Sequence, residues 1–184
     1  MNEMRNQRQL LWMKLAFAAV LVLLAAVVRV VAHPWNFTPI GAMALFAGAT
    51  FRQRWMKFLF PLAALFAGDL FVGLYKLMFI VYASFLINVA IGMWIGEERK
   101  FTRLAGGTFL GSLQFFLTTN FSVWATFLTY PKTAAGLLAC YAAGLPLFWN
   151  TLAGDAFYVV LLFGGYALGE RLFALQSPAA ELSR

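Results

Sequence analysis

The stretch from Pro39 to Lys57 reads PIGAMALFAGATFRQRWMK. Its apolar part, about residues 39–51, is short for a hydrocarbon core of ~30 Å, so a re-entrant segment competes with a crossing helix. The basic cluster that follows, Arg52, Arg54 and Lys57, matches in sign the N-terminal side with its Arg5, Arg8 and Lys14. Lys and Arg concentrate on the cytoplasmic side of membrane segments. Residues 39–51 are therefore expected to cross, returning the chain to the side on which it began.

The same sorting extends outward from this stretch. Apolar segments are expected at about residues 10–32, 39–51, 58–73, 77–95, 104–128 and 147–170. Further clusters fall at Arg99, Lys100 and Arg103, and at Arg171 and Arg184, whereas the alternate loops hold only Arg29, Lys76 and Lys132. Eleven basic residues against three is the positive-inside pattern, which places both termini in the cytoplasm and the three poor loops outside. The expected fold is all-α and integral to the membrane, a six-transmembrane-helix bundle forming a single domain over residues 1–175.

Composition agrees with that reading. A chain of 184 residues with 62% hydrophobic and 11% charged residues leaves no mass for a soluble domain. The net charge of +7 does not indicate nucleic acid, because the basic residues sit at span ends, where they meet anionic lipid headgroups. A single cysteine, Cys140, excludes an internal disulfide and a Cys-rich metal site, and reads as a small packed residue. Val30-Val31-Ala32 before His33 resembles a signal-cleavage site, but the apolar run from Leu15 is long for a signal segment, so the first span is expected to be retained.

Local signals refine the boundaries. Two prolines in His33-Pro34-Trp35-Asn36-Phe37-Thr38-Pro39 break the first helix, with Thr38 the expected N-cap of the next and Pro39 its first residue. Residues 133–145, rich in Ala, Gly and Leu, are too short to span and are expected to lie as an outer surface helix ending before Pro146. The tail 176–184 is expected to be disordered. Gly92/Gly96, Gly107/Gly111 and Gly165/Gly169 share GxxxG spacing near the cytoplasmic ends, which suggests a bundle closed inside and splayed outside.

Polar residues inside apolar segments carry the functional signal, since an ionised carboxylate facing lipid is costly. Asp69 and Asp155 are expected to face an aqueous interior, or to cap a helix or pair with Arg29 or Lys76. Ser84/Asn88, Asn120/Trp124 and Thr151/Asp155 are each one helical turn apart. Interhelical hydrogen bonding accounts for Ser84 and Asn88, and a lipid-interface belt for some of the aromatics. With His33, Asn36, Tyr82, Tyr130, Asn150 and Tyr158, these residues fall toward the outer side by topology. His33 is either a helix-end residue or a ligand or metal contact through a neutral imidazole nitrogen. The sum is an outward-opening binding cavity.

No GxxxxGK[ST], HExxH or GxSxG motif is present, so no ATPase, metalloprotease or hydrolase chemistry of those types is expected, and the chain is read as a non-enzyme. Two other readings stand beside uptake of a small molecule. One is an accessory structural subunit of a larger membrane complex. The other is an enzyme acting on a lipid-like substrate through Asp69 and Asp155.

Asn36-Phe37-Thr38-Pro39-Ile40-Gly41, Asp69, Val81-Tyr82, Asn120 with Trp124, Tyr130-Pro131-Lys132-Thr133 and Gly136-Leu137-Leu138 resemble a family of small bacterial membrane proteins. That family is similar to the substrate-binding S-components of energy-coupling-factor vitamin transporters. The resemblance covers His33 to Leu168 and implies six helices, both termini inside, a bacterial inner (cytoplasmic) membrane location and an outward vitamin pocket. The solitary cobalamin-transporting type looks closest. It implies cobalamin or another corrinoid as transported ligand, with His33 as a cobalt contact and Asp69 on the corrinoid site. No cysteine stands between Val72 and Ser84, so thiolate ligation of cobalt is not expected. For uptake of such a ligand, the expected binding set is His33, Asn36, Asp69, Tyr82, Asn120, Trp124, Tyr130, Asn150 and Asp155. Span 1 lacks small residues four apart, so the protein either works alone or docks an energising module through others such as Ala44 and Gly48.

Overall fold

The computed structural model describes residues 12–13, 15–24, 27 and 35–175. Within them the secondary structure is helical throughout, with no strand. The helices are α1 (Leu15–Leu24), α2 (Ile40–Thr50), α3 (Arg54–Val72), α4 (Met78–Ile95), α5 (Phe101–Thr126) and α6 (Ala134–Leu175). His33, Arg29 and the tail 176–184 lie outside the described residues, as do the readings placed on them.

The short helix α2 is the centre of the molecule. Every residue from Ile40 to Ala49 is buried, on all faces rather than along one stripe. Such a helix can only be a core element, because no face of it is polar enough to meet water. It packs against α3, α4, α5 and α6. At 11 residues it is ~16 Å long.

Close packing explains why α2 is rich in small residues. A Cβ on Gly48 would collide with the carbonyl oxygen of Val89 in α4, and one on Gly92 with that of Leu45 in α2. The two backbones therefore touch, and each glycine admits the other helix. Gly48 is taken up by this contact and Ala44 is wholly buried, which removes both as a docking surface for another protein. Of the expected GxxxG pairs, Gly107 and Gly111 both face α4, against Ile95 and Asn88, while the other two do not act as pairs. Gly96 instead ends α4 at φ 72°, a conformation that favours glycine. Gly165 makes almost no contact, and Gly169 receives the ring of Phe17.

One boundary differs from expectation. A surface helix at 133–145 and a span at 147–170 are in fact a single helix, α6, continuous through Pro146 for 42 residues. Proline removes one donor and crowds the preceding turn, but neighbouring helices make this tolerable in apolar bundles. Here the residues before Pro146 pack on α5 instead of lying apart. The Tyr141 hydroxyl donates to the Leu117 carbonyl at 2.9 Å, and Gly144 lies against Asn120 and Phe116. Buried Cys140 donates weakly to the Asn120 carbonyl at 3.4 Å.

Alternate loops gather at the same ends. Arg52, Glu97, Arg99 and Glu170 surround one recess, formed by the ends of α2, α4 and α6. At the opposite end Lys76 lies over the Phe127 ring, 5.1 Å from its centroid, near the start of α4 and the end of α5. The flanks between are strongly apolar and exposed, including Phe71, Phe79, Phe101 and Val160. By length and composition, two helices can cross a membrane, α4 and α6 (over Ala134–Phe173). Of the others, α1 and α2 are short, and α3 carries Arg54, Lys57 and Asp69.

Candidate functional site

The loop before α2 is held by one face of α6. Asn36 takes φ 61°, a left-handed conformation that asparagine tolerates better than most residues. The Asn150 side-chain amide donates to the Trp35 carbonyl at 3.1 Å. One turn on, Gly154 lets the backbone of the loop approach, since a Cβ there would lie 3.1 Å from the Phe37 Cα. Phe37 then packs on Phe157 and Tyr158, with ring centroids 5.8 and 5.7 Å away. Residues 150, 154, 157 and 158 recur at helical spacing, so a single stripe of α6 clamps the loop.

Asp155, on the same stripe, supplies what α2 lacks. The helix opens with Pro39 in the N-cap position (φ −78°, ψ 0°) and no side-chain cap from its own sequence. Thr38 thus does not serve as the expected cap. The Ala42 N–H instead donates to Asp155 Oδ1 at 3.1 Å, so the cap comes from 113 residues away. The carboxylate also meets the partial positive charge of the helix N-terminus. Gly41 makes room, because a Cβ there would overlap the carboxylate. The Ser112 hydroxyl lies 2.7 Å from Asp155 Oδ2 and 3.1 Å from the Thr108 carbonyl. Its single proton serves one acceptor at a time, and the carboxyl oxygen is the closer of the two.

A cavity of about 410 Å³ opens beside this cap. The loop and α2 contribute Trp35, Asn36, Thr38, Ile40 and Gly41 to its wall. Tyr75 enters from the α3–α4 connection, and Val81, Phe85 and Asn88 from one face of α4. Phe115 of α5 and Thr151 and Asp155 of α6 complete it. Phe85 and Phe115 stack at 5.2 Å between centroids. Asn88 is fixed by Gln114, whose amide nitrogen donates to Asn88 Oδ1 at 2.8 Å and to the Ser84 carbonyl at 3.0 Å. Beside it, Ser84 Oγ and Gln114 Oε1 are buried with no hydrogen-bond partner among the described residues.

The expected ligand set divides into three places. Asn36 and Asp155 are on the cavity wall, and Asn150 stands behind it holding the loop. Asp69, fully buried, accepts from the Tyr82 hydroxyl at 2.9 Å and ties α3 to α4; neither residue is on the wall. Asn120 and Trp124 stand on the last part of α5, and Tyr130 in the connection to α6. Asn120 donates to the Phe116 carbonyl of its own helix at 2.9 Å, and the Trp124 indole to the Pro131 carbonyl at 2.8 Å. Lys132 caps the end of α5 through the Trp124 and Phe127 carbonyls and lies over the Trp124 ring. Ser112 and Gln114 were not anticipated. A glutamine in the middle of an apolar helix is a usable signal, whereas nothing local marks Ser112 as the partner of Asp155.

Among the described residues no group of three or more His, Cys, Asp or Glu is placed to hold a metal ion. An aromatic and amide-lined cavity with one carboxylate at a helix N-terminus is suited to binding and orienting a small molecule. Asp69 and Asp155 make separate contacts, with Tyr82 on one side and with Ala42 and Ser112 on the other. No curated protein and no solved structure matches the chain. One family model does, over residues 9–179, described as "Family of unknown function (DUF6580)", and the chain belongs to that family.

Proposed function

We propose that the protein is a substrate-binding membrane transport component for uptake of a vitamin-sized small molecule. In this reading the six helices form a bundle in the inner membrane of a bacterium, with the 35–39 loop and the cavity on the outer side. The exposed apolar flanks and the sorting of Lys and Arg to alternate loops support the membrane placement. The single observation that carries the functional reading is the cavity: about 410 Å³, with aromatic rings for contact area and Asn36, Thr38, Asn88 and Asp155 for orientation.

The volume favours a ligand smaller than cobalamin, whose corrin ring and nucleotide tail exceed such a space. An aromatic or heterocyclic nutrient is the better fit, and a corrinoid would have to be held largely outside the wall described. The arrangement of α2 supports transport over a purely structural role. It is a short helix enclosed by protein whose N-terminus opens at a cavity, the form in which transporters tolerate broken helices at depth.

Native mass spectrometry of gently solubilised protein tests the reading. A small bound molecule is expected, lost in Val81→Trp, which fills the cavity, and retained in Leu138→Trp, whose site is 70% exposed. Stoichiometric protein partners with no bound molecule in either variant would instead favour an accessory subunit.

A further inference from the structure

The charge balance of the cavity points to the class of its ligand. Among the described residues on its wall, Asp155 is the only carboxyl group, and no Lys, Arg or His is among them. When ionised it is balanced by the N-terminus of α2, which carries about half a positive charge, and by the Ser112 hydroxyl. Neither supplies a full cation. Asp155 is buried, and Gly41, packed against its carboxylate on the same wall, adds no side chain between it and the cavity. Two hydrogen bonds also leave part of the carboxylate's acceptor capacity unused.

The rings act in the same direction. Trp35, Tyr75, Phe85 and Phe115 present π-systems to the cavity wall, and aromatic faces attract cations. An anionic ligand has the opposite prospect. The natural anion site, the N-terminus of α2, is already occupied by Asp155 through the Ala42 N–H. A second carboxylate or phosphate there would meet like charge in a buried setting.

We propose that the cavity selects an organic cation, an ammonium group or a positively charged heteroaromatic ring, with Asp155 as counter-ion and the rings as its cage. This rests on the cavity being a ligand site, as proposed above. It adds the sign of the ligand's charge, which the volume alone does not give.

Calorimetric titration of the full chain in nanodiscs at low salt, corrected with empty nanodiscs, tests it with three probes of one shape. These are 2-phenylethylammonium, 2-phenylethanol and phenylacetate. The ammonium is expected to bind about tenfold more tightly than the alcohol, and phenylacetate not to saturate. In Asp155→Asn, which keeps an acceptor for the Ala42 N–H, the ammonium preference is expected to fall to about twofold or less. Should that variant fail to fold, Trp35→Leu alters an exposed ring and is expected to weaken the ammonium about threefold while sparing the alcohol.

Alcohol or phenylacetate binding as tightly as the ammonium, and abolished by Val81→Trp, overturns the charge assignment and leaves the cavity reading standing. An ammonium preference that survives both Asp155→Asn and Trp35→Leu also overturns it. Failure of all three probes to saturate counts against both.

Discussion

The two ends of the bundle are built by different means. At the end that carries the 35–39 loop, helices are joined by polar side chains that reach across: Asn150 to Trp35, Asp155 to Ala42, Ser112 to Asp155, and Gln114 to Asn88. Toward the other end, α2 and α4 meet backbone to backbone at Gly48 and Gly92. There the polar contacts sit at the rim. Lys57 donates to the Gly48 carbonyl at 2.9 Å, and Arg99 pairs with Glu170 at 2.8 Å while lying over the Tyr166 ring. At one end polar side chains bridge the helices beside the cavity; at the other α2 and α4 touch directly, and the recess there is ringed by Arg52, Glu97, Arg99 and Glu170.

The most damaging way to break this contrast is to separate α2 from α4. Gly48→Val places a branched side chain against the Val89 carbonyl and is expected to cost on the order of 3 kcal/mol or more. In Gly164→Val nothing stands within 4 Å of the added Cβ, and stability should change by no more than about 0.5 kcal/mol. Thermal unfolding of the two variants in the same detergent compares them directly. Equal melting temperatures would show that the glycine contact does not close this end.

A smaller effect is expected at the cavity end. Asp155→Ala removes the cap of α2 and leaves a buried N–H without its acceptor, at about 2 kcal/mol. Asp155→Asn keeps an oxygen at the site and should lose about half as much. Hydrogen exchange at the Ala42 amide reads the cap itself: faster in the alanine variant, near wild type in the asparagine one. Unchanged exchange in both would mean that the carboxylate does not cap the helix.

The smallest effect belongs to the charged rim. The Arg99 and Glu170 side chains are 21% and 27% exposed, so their pairing is partly screened. Arg99→Ala is expected to cost about 0.5 kcal/mol, and 0.5 M salt should weaken the wild type while leaving the variant unmoved. A loss comparable to that of Asp155→Ala would reverse the contrast, making ion pairs rather than glycine packing the closure of this end.

Much of the fold was legible because apolar segments and their punctuation are local. The segments expected at 39–51, 77–95 and 104–128 correspond to α2, α4 and α5 with boundaries shifted by a few residues. The division of α6 at Pro146 was misread for an equally local reason. A proline signals a break unless partners elsewhere, here Leu117, Asn120 and Phe116 of α5, hold the helix through it. The site was legible in part. Asn36 and Asp155 stand out as polar residues in or beside apolar segments, and both reach the wall. Asn120 and Trp124 stand out equally, yet one bonds to its own helix and the other to the Pro131 carbonyl, because polarity alone does not report which neighbour a side chain will meet.

The sequence by itself determined the sign pattern of the loops, the helical class and the few polar residues that must find partners inside an apolar bundle. These depend on composition and on spacing along the chain. Only the tertiary structure decided that Asp155 caps a helix 113 residues away, that Gly41 and Gly154 clear space for it and for the loop, and that Asn88 rather than Asn120 faces the cavity. Those outcomes depend on how helices cross, and a crossing brings together residues that share no local pattern.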